Sequence, residues 1–201
     1  MALISVSNNA LQNITAVPAS IPSGALVLLS TQTASASASI EFTSGIDSTY
    51  DSYVFKFINV AVSTNHAVIE FQASIDGGST YGVTTTSTSF MTRHNEANTE
   101  ADLFYNTAQD LAQSTAFIDL TDQLSNDADA CLSGELQIFN PSSNTYVKHW
   151  ISTTTWLQSD PATRSIYNAG YFNDGANDIN AIKFQVSTGT FDGIIKMYGV
   201  K

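Results

Sequence analysis

From residue 25 onward, apolar and polar positions alternate in short blocks separated by turn residues, which is the period of strands and not of helices. Residues 25–31 read as one strand led by the apolar stretch 25–29, which predicts burial on both faces. Ala38, Ile40 and Phe42 alternate with Ser37, Ser39 and Glu41, and Tyr53, Phe55 and Phe57 alternate with Val54, Lys56 and Ile58. Ile69, Phe71, Ala73 and Ile75 alternate with Val68, Glu70, Gln72 and Ser74. Asp76-Gly77-Gly78-Ser79 then has the chemistry of a hairpin turn, with a return strand running from Tyr81 through the threonine tract 84–86 toward Phe90. Alternation resumes at 131–138, ends at the turn Asn140-Pro141-Ser142-Ser143-Asn144, and recurs at 146–156, 166–172, 181–187 and 193–200.

Two stretches depart from this rhythm. Residues 94–130 lose the alternation and hold Glu96, Glu100, Asp102, Asp110, Asp119, Asp122, Asp127 and Asp129; an irregular excursion is expected there, with a short helix near 96–111 and a strand near 116–120. Residues 1–24 read as a docking arm. Asn8 or Asn9 can cap a short turn, Pro18 and Pro22 forbid its extension, and Leu3, Ile4, Val6, Leu11, Ile14 and Val17 supply small apolar contacts. No amphipathic helix is available to connect parallel strands. The expected architecture is therefore all-β: one antiparallel, jelly-roll-like sandwich over 25–201 with nine or ten strands, preceded by the arm.

Composition sharpens this picture. The hydrophobic share is 43%, enough for a core, while charged residues make up only 12%, about half the usual ~25%. Polarity comes from 25 Ser and 23 Thr, which favour strands and turns. A surface poor in Lys and Glu is cheap to desolvate and suits permanent packing against other subunits; it is also what a saline medium permits. The net charge of −11, with only seven Lys and Arg and none before Lys56, argues against nucleic-acid binding. The same absence of cations argues against a secretory leader, and the longest apolar run, 25–29, is too short for membrane insertion. A single cysteine, Cys131, cannot form an internal disulfide and is expected as a small buried hydrophobe.

Candidate chemistry is sparse. His66, His94 and His149 have no partners at metal-ligand spacing, and Cys131 has no activating base nearby in sequence. Glu70 and Glu135 are the mid-strand acids that could pair as in a glycosidase, although both fall on the polar phase of their strands. Asn126-Asp127-Ala128-Asp129 and 173–178 (Asn-Asp-Gly-Ala-Asn-Asp) could supply oxygen ligands to a structural calcium, but neither has the spaced loop with a closing glutamate. No other cofactor is expected, and no enzymatic activity. Tyr146, Trp150, Trp156, Tyr167 and Tyr171 cluster in the last third as candidates for glycan stacking or subunit contact.

Six stretches, in order along the chain, carry a resemblance: residues 24–29 with the Ser/Ala tract 32–39, Gly45-Ile46-Asp47-Ser48-Thr49-Tyr50, Asp76-Gly77-Gly78-Ser79-Thr80-Tyr81, His94-Asn95-Glu96-Ala97, Phe139-Asn140-Pro141-Ser142-Ser143, and 193–200. Together they resemble small virion structural proteins of tailed bacteriophages of marine bacteria, including cyanophages. The resemblance transfers no catalytic motif. It implies a particle component made in the bacterial cytoplasm and displayed on the virion exterior. That component would be a capsid decoration or cement protein, or alternatively a tail-fibre or appendage protein that meets host surface glycans. The implied partners are copies of itself, with a homotrimer favoured, and the major capsid protein or tail proteins.

Overall fold

The computed structural model describes residues 26–201, which contain twelve strands and no helix. The arm residues Leu3, Ile4, Val6, Leu11, Ile14 and Val17 lie outside the described residues. The strands are β1 (Val27–Ser37), β2 (Ser39–Phe42), β3 (Ser52–Val62), β4 (Ile69–Ser74), β5 (Thr85–Asn95), β6 (Ala101–Tyr105), β7 (Ile118–Asp119), β8 (Leu132–Phe139), β9 (Lys148–Gln158), β10 (Ala162–Phe172), β11 (Ala181–Val186) and β12 (Phe191–Val200). They form two antiparallel sheets, one of eight strands in the order β1-β12-β3-β8-β9-β10-β5-β6 and one of four in the order β2-β11-β4-β7. The protein is an all-β sandwich whose chain crosses repeatedly between the two sheets.

The core follows from the period-two pattern. In the four-stranded sheet, Ile40, Phe42, Ile69, Phe71, Ala73, Ile182, Phe184 and Val186 share one face through the registers Phe184↔Ile40 and Phe71↔Phe184. From the larger sheet they meet Tyr53, Phe55, Phe57, Leu136, Ile138, Trp150, Phe172, Ile195 and Met197. Phe184 touches Phe42, Phe55 and Phe57 edge-on, at centroid distances of 6.1, 5.3 and 5.2 Å. Such edge-to-face pairs add about 0.5–1.5 kcal/mol each beyond area burial. Trp150 stands edge-on to Phe71 at 5.2 Å. Its ring fits because position 170 is glycine: a Cβ there would lie 2.6 Å from the indole and 2.7 Å from the Thr86 carbonyl.

The motifs that open turns prove to be hydrogen-bonded locks. The buried Tyr53 hydroxyl donates to the Asp47 carbonyl at 2.9 Å and accepts from the Asp47 N–H, pinning the 45–50 turn. Asp76 accepts from the hydroxyl of Thr80, the hydroxyl of Ser74 and the N–H of Thr80, and these bonds hold its carboxyl down at about 2.

Four sequence expectations need correction. The 25–31 strand is not buried on both faces: among the described residues β1 lies at the sheet edge and pairs only with β12, and Leu26 and Leu28 are exposed. Asp76–Ser79 does turn the chain, but β4 and β5 belong to different sheets, so it joins the sheets instead of closing a hairpin. No helix forms at 96–111. Asn95 Oδ1 accepts from the N–H groups of Thr99 and Glu100, a tight turn follows, and β6 pairs back on β5. Leu103 and Tyr105 alternating with Asp102 and Phe104 was a strand signal hidden by the acids. Finally, Cys131 is half-buried, not core.

Four strands cannot cover eight. Beside the buried Trp156 and Ile166, the inner face of β9 and β10 carries Thr154, Arg164 and Asn168, and it holds the segment 118–125, a filler that begins as β7 at the edge of the smaller sheet. Thr154 donates to the Leu120 carbonyl, Asn168 to the Asp119 carbonyl at 2.8 Å, and Arg164 to the Asp122 carboxylate at 2.7 Å. The same segment is tied to the other sheet by Leu120 N–H to the Ile69 carbonyl (2.8 Å) and Ile69 N–H to the Thr121 hydroxyl (2.9 Å). The Arg164 side chain is 8% exposed, so removing its partner strands a buried charge. Asp122→Ala should cost about 2–4 kcal/mol in denaturant-unfolding stability. Glu135→Ala, which breaks the exposed Lys56–Glu135 pair, should cost less than about 1 kcal/mol.

Candidate interaction face

The register of the eight-stranded sheet carries one row of outward side chains from edge to edge: Thr31, Lys196, Lys56, Glu135, Thr153, Tyr167, Phe90 and Tyr105. The row changes character halfway. On β12, β3 and β8 it is charged. On β9, β10, β5 and β6 no outward position bears a formal charge: His149, Ile151, Thr153, Thr155 and Leu157 on β9; Thr163, Ser165, Tyr167, Ala169 and Tyr171 on β10; Thr86, Thr88, Phe90, Thr92 and His94 on β5; Ala101, Leu103 and Tyr105 on β6. Asp102 and Arg93 belong to the opposite phase and bond to each other at 2.8 Å.

Large apolar side chains stand in solvent on this half, as Leu28 and Ile58 also do on the other half, at 52% and 37% exposed. Phe90, Tyr167, Tyr105 and Ile151 are 40–52% exposed and Leu103 reaches 70%. The Phe90 and Tyr167 rings stack at 5.0 Å with 10° between planes. Nearby, His149 meets Tyr171 edge-on at 6.0 Å. Two shallow depressions flank the stack. One, of about 340 Å³, is bordered by Thr86, Thr88, His149, Ile151 and Tyr171; the other, of about 270 Å³, by Cys131, Ser133, Thr155 and Thr163. Threonine hydroxyls among aromatic rings, on a rigid sheet and without ions, can pack tightly and donate or accept hydrogen bonds at little desolvation cost.

The aromatic residues singled out from the sequence therefore divide. Tyr167 and Tyr171 stand on this face. Trp150 and Trp156 are core residues, 0% and 3% exposed, because their phase in β9 points inward; neither can stack on a ligand. Tyr146 is 73% exposed but lies in the turn before β9, off the face. Phe90, Leu103, Tyr105 and Ile151 went unselected, since only the strand register reveals that they meet.

The remaining candidates are dispersed. Glu70 and Glu135 point outward from opposite sheets, so they cannot flank one substrate; Glu70 accepts from Gln185 at 2.6 Å and Glu135 pairs with Lys56. His66 occupies a turn with φ 65°, and His94 meets Asn98 at 3.0 Å. In the 173–178 loop, the ammonium of the fully buried Lys148 donates to the Gly175 carbonyl at 2.8 Å. Burial pushes the Lys148 pKa down, with Asp174 and Asp178 opposing. Asp127 accepts from Ser125 at 2.9 Å. Among the described residues, no three His, Cys, Asp or Glu side chains converge as metal ligands.

One acid has an unusual proton affinity. Asp119 is raised from 3.8 to about 6, first by burial and then by Glu70 opposite it on β4, with a hydrogen bond from Gln109 opposing and Asp122 adding to the rise. It serves the filler segment, its carbonyl held by Asn168. Because its folded-state pKa lies above the ordinary value, its stabilising contribution is full below about pH 4 and is lost as pH rises through 6. Asp119→Asn should therefore gain about 1–2 kcal/mol over the unsubstituted chain at pH 7.5, and show little difference at pH 4, in paired urea melts.

No protein-family model matches the chain, and no curated protein matches it. Among solved structures, it is similar to a structural-genomics protein of unknown function from Bacteroides ovatus, at 10% identity and a TM-score of 0.29, over 52% of this chain and 45% of that one. The chain thus spans less than half the length of that protein.

Proposed function

We propose that this chain is a non-enzymatic structural protein of a tailed-phage virion, acting as a decoration or cement protein on the particle exterior. The observation that carries this reading is the uncharged aromatic and threonine face, displayed by an acidic chain on its larger sheet. Solvent-exposed aromatics in a charge-depleted field are the composition of protein interfaces, where Tyr and Phe are enriched and Asp, Glu and Lys depleted. The dispersal of Glu70, Glu135 and the three histidines over separate surfaces supports a role in packing over one in chemistry. The particle and the exterior location come from the resemblance of the six stretches along the chain to marine-phage virion proteins.

In this reading residues 1–24 anchor the domain to the capsid and the sandwich stands on the particle surface, built into a homo-oligomer. A second reading, a tail-fibre or appendage protein that binds host glycans, is favoured by Phe90 and Tyr167, rings of the kind that stack on sugars. Their parallel stack weighs against it, since each ring covers one face of the other and leaves less aromatic surface for a sugar.

Deletion of residues 1–24 should abolish incorporation into particles while leaving the melting curve of the sandwich unchanged. Quantitative mass spectrometry of purified virions should find the full chain in many copies per head. Truncated chain present at full copy number would refute the anchoring role, and a handful of copies located at the tail would favour the appendage reading.

A further inference from the structure

We infer that the occupant of the uncharged face is a second copy of the same chain, packed sheet against sheet about a two-fold axis lying between the two faces. This deepens the reading of the chain as a packing subunit and rests on it, but not on the identity of the particle.

Charge is the first argument. At −11, two copies repel wherever their acids approach, and like charges at short range cost free energy even when partly screened. The outward positions of β9, β10, β5 and β6 carry none of the 18 acids, so they offer a self-complementary surface on which two acidic copies can meet without opposing carboxylates. Elsewhere on the two sheets, charged side chains stand outward: Lys56, Glu135 and Lys196 on the same sheet, Glu41, Glu70 and Lys183 on the other.

Size is the second. Three strands of 11 residues and one of five, at ~3.3 Å per residue and ~4.8 Å between strands, give a footprint of roughly 600 Å² in plan. Side-chain relief enlarges this toward the ~800 Å² per partner of a stable interface.

Placement is the third. Phe90 is the central residue of β5 and Tyr167 the central residue of β10, and the two are direct register partners. The most exposed aromatic stack thus falls in the middle of the patch, with threonines around it. Aromatic anchors at the centre and uncharged hydroxyls at the rim match the usual distribution of binding energy. The flanking depressions give protruding side chains of the copy a place to enter. A two-fold contact here is compatible with three-fold association through other surfaces, and such assemblies would be even-numbered.

The test is the mass of the purified full chain in solution, by light scattering after size exclusion and by sedimentation equilibrium. The expected result is an even multiple of 21.5 kDa at ~10 µM. It should persist from low salt to about 1 M salt, because the interface holds no ion pair to screen and salt only weakens the background repulsion. Phe90→Glu with Tyr167→Glu should halve the mass, weakening association at least about 100-fold; both sites are exposed, so the melting curve of the subunit should remain cooperative. Thr153→Lys, a single exposed substitution on the same face, gives the same reading should the double variant fold poorly. Tyr198→Glu, on the charged half of the sheet, should leave the mass unchanged. A chain monomeric at ~100 µM, or a mass that neither Phe90/Tyr167 nor Thr153 substitution alters, overturns the inference. So does association lost only when residues 1–24 are removed. An unsubstituted chain that is monomeric in solution yet present in particles at normal copy number would overturn the pairing while leaving the virion reading intact.

Discussion

An eight-stranded sheet cannot be buried by a four-stranded one, and the way this chain resolves the mismatch governs the rest of its structure. Half of the large sheet finds an aromatic partner layer around Phe184 and Phe71. The other half meets the filler segment 118–125, whose backbone groups would be orphaned in a dry core. The inner face of β9 and β10 supplies Thr154 and Asn168 to the carbonyls of Leu120 and Asp119 and Arg164 to the Asp122 carboxylate, while β4 satisfies the other side. The sandwich closes without helices because side chains of one sheet act as ladder partners for a strand that is otherwise only two residues long.

That arrangement has a consequence on the opposite surface. With β9 and β10 tied from below by directional bonds, their outer face is preorganised, and ordering it costs little when a partner arrives. The same strands that carry buried polar groups inward carry uncharged aromatic and threonine side chains outward. Burial of polarity and exposure of apolarity are both reversals of the ordinary pattern, and they occur back to back on one set of strands.

Much of the fold was legible in the chain. The alternations at 37–42, 53–58, 69–75 and 131–138 name strands of the structure in the correct phase. Where the reading failed, periodicity was ambiguous. In 150–158 both phases of β9 contain Ser or Thr, so nothing local says that Thr154 faces the core and Thr153 faces solvent. In 96–111 the acids imitate a polar loop or helix face, although Asp102 is merely bonded to Arg93. The interaction face was the least legible feature. Phe90, Leu103, Tyr105 and Tyr167 come from three strands, and their union depends on the pairing of Phe90 with Tyr167, 77 residues away, as well as with Tyr105, 15 residues away, which no local pattern encodes. The absence of charge at those positions becomes visible only when the register is known.

If a second copy covers the uncharged half of the large sheet's outer face, the charged half stays in solvent. Hydroxyl-radical footprinting of the assembled protein, read residue by residue, addresses it directly. Phe90, Tyr105 and Tyr167 should be oxidised far more slowly in the assembly than in the dissociated chain. Tyr198, on the charged half of the same face, should label equally in both. Equal labelling of Phe90, Tyr105 and Tyr167 in the two states, or protection of Tyr198 in their place, would contradict it.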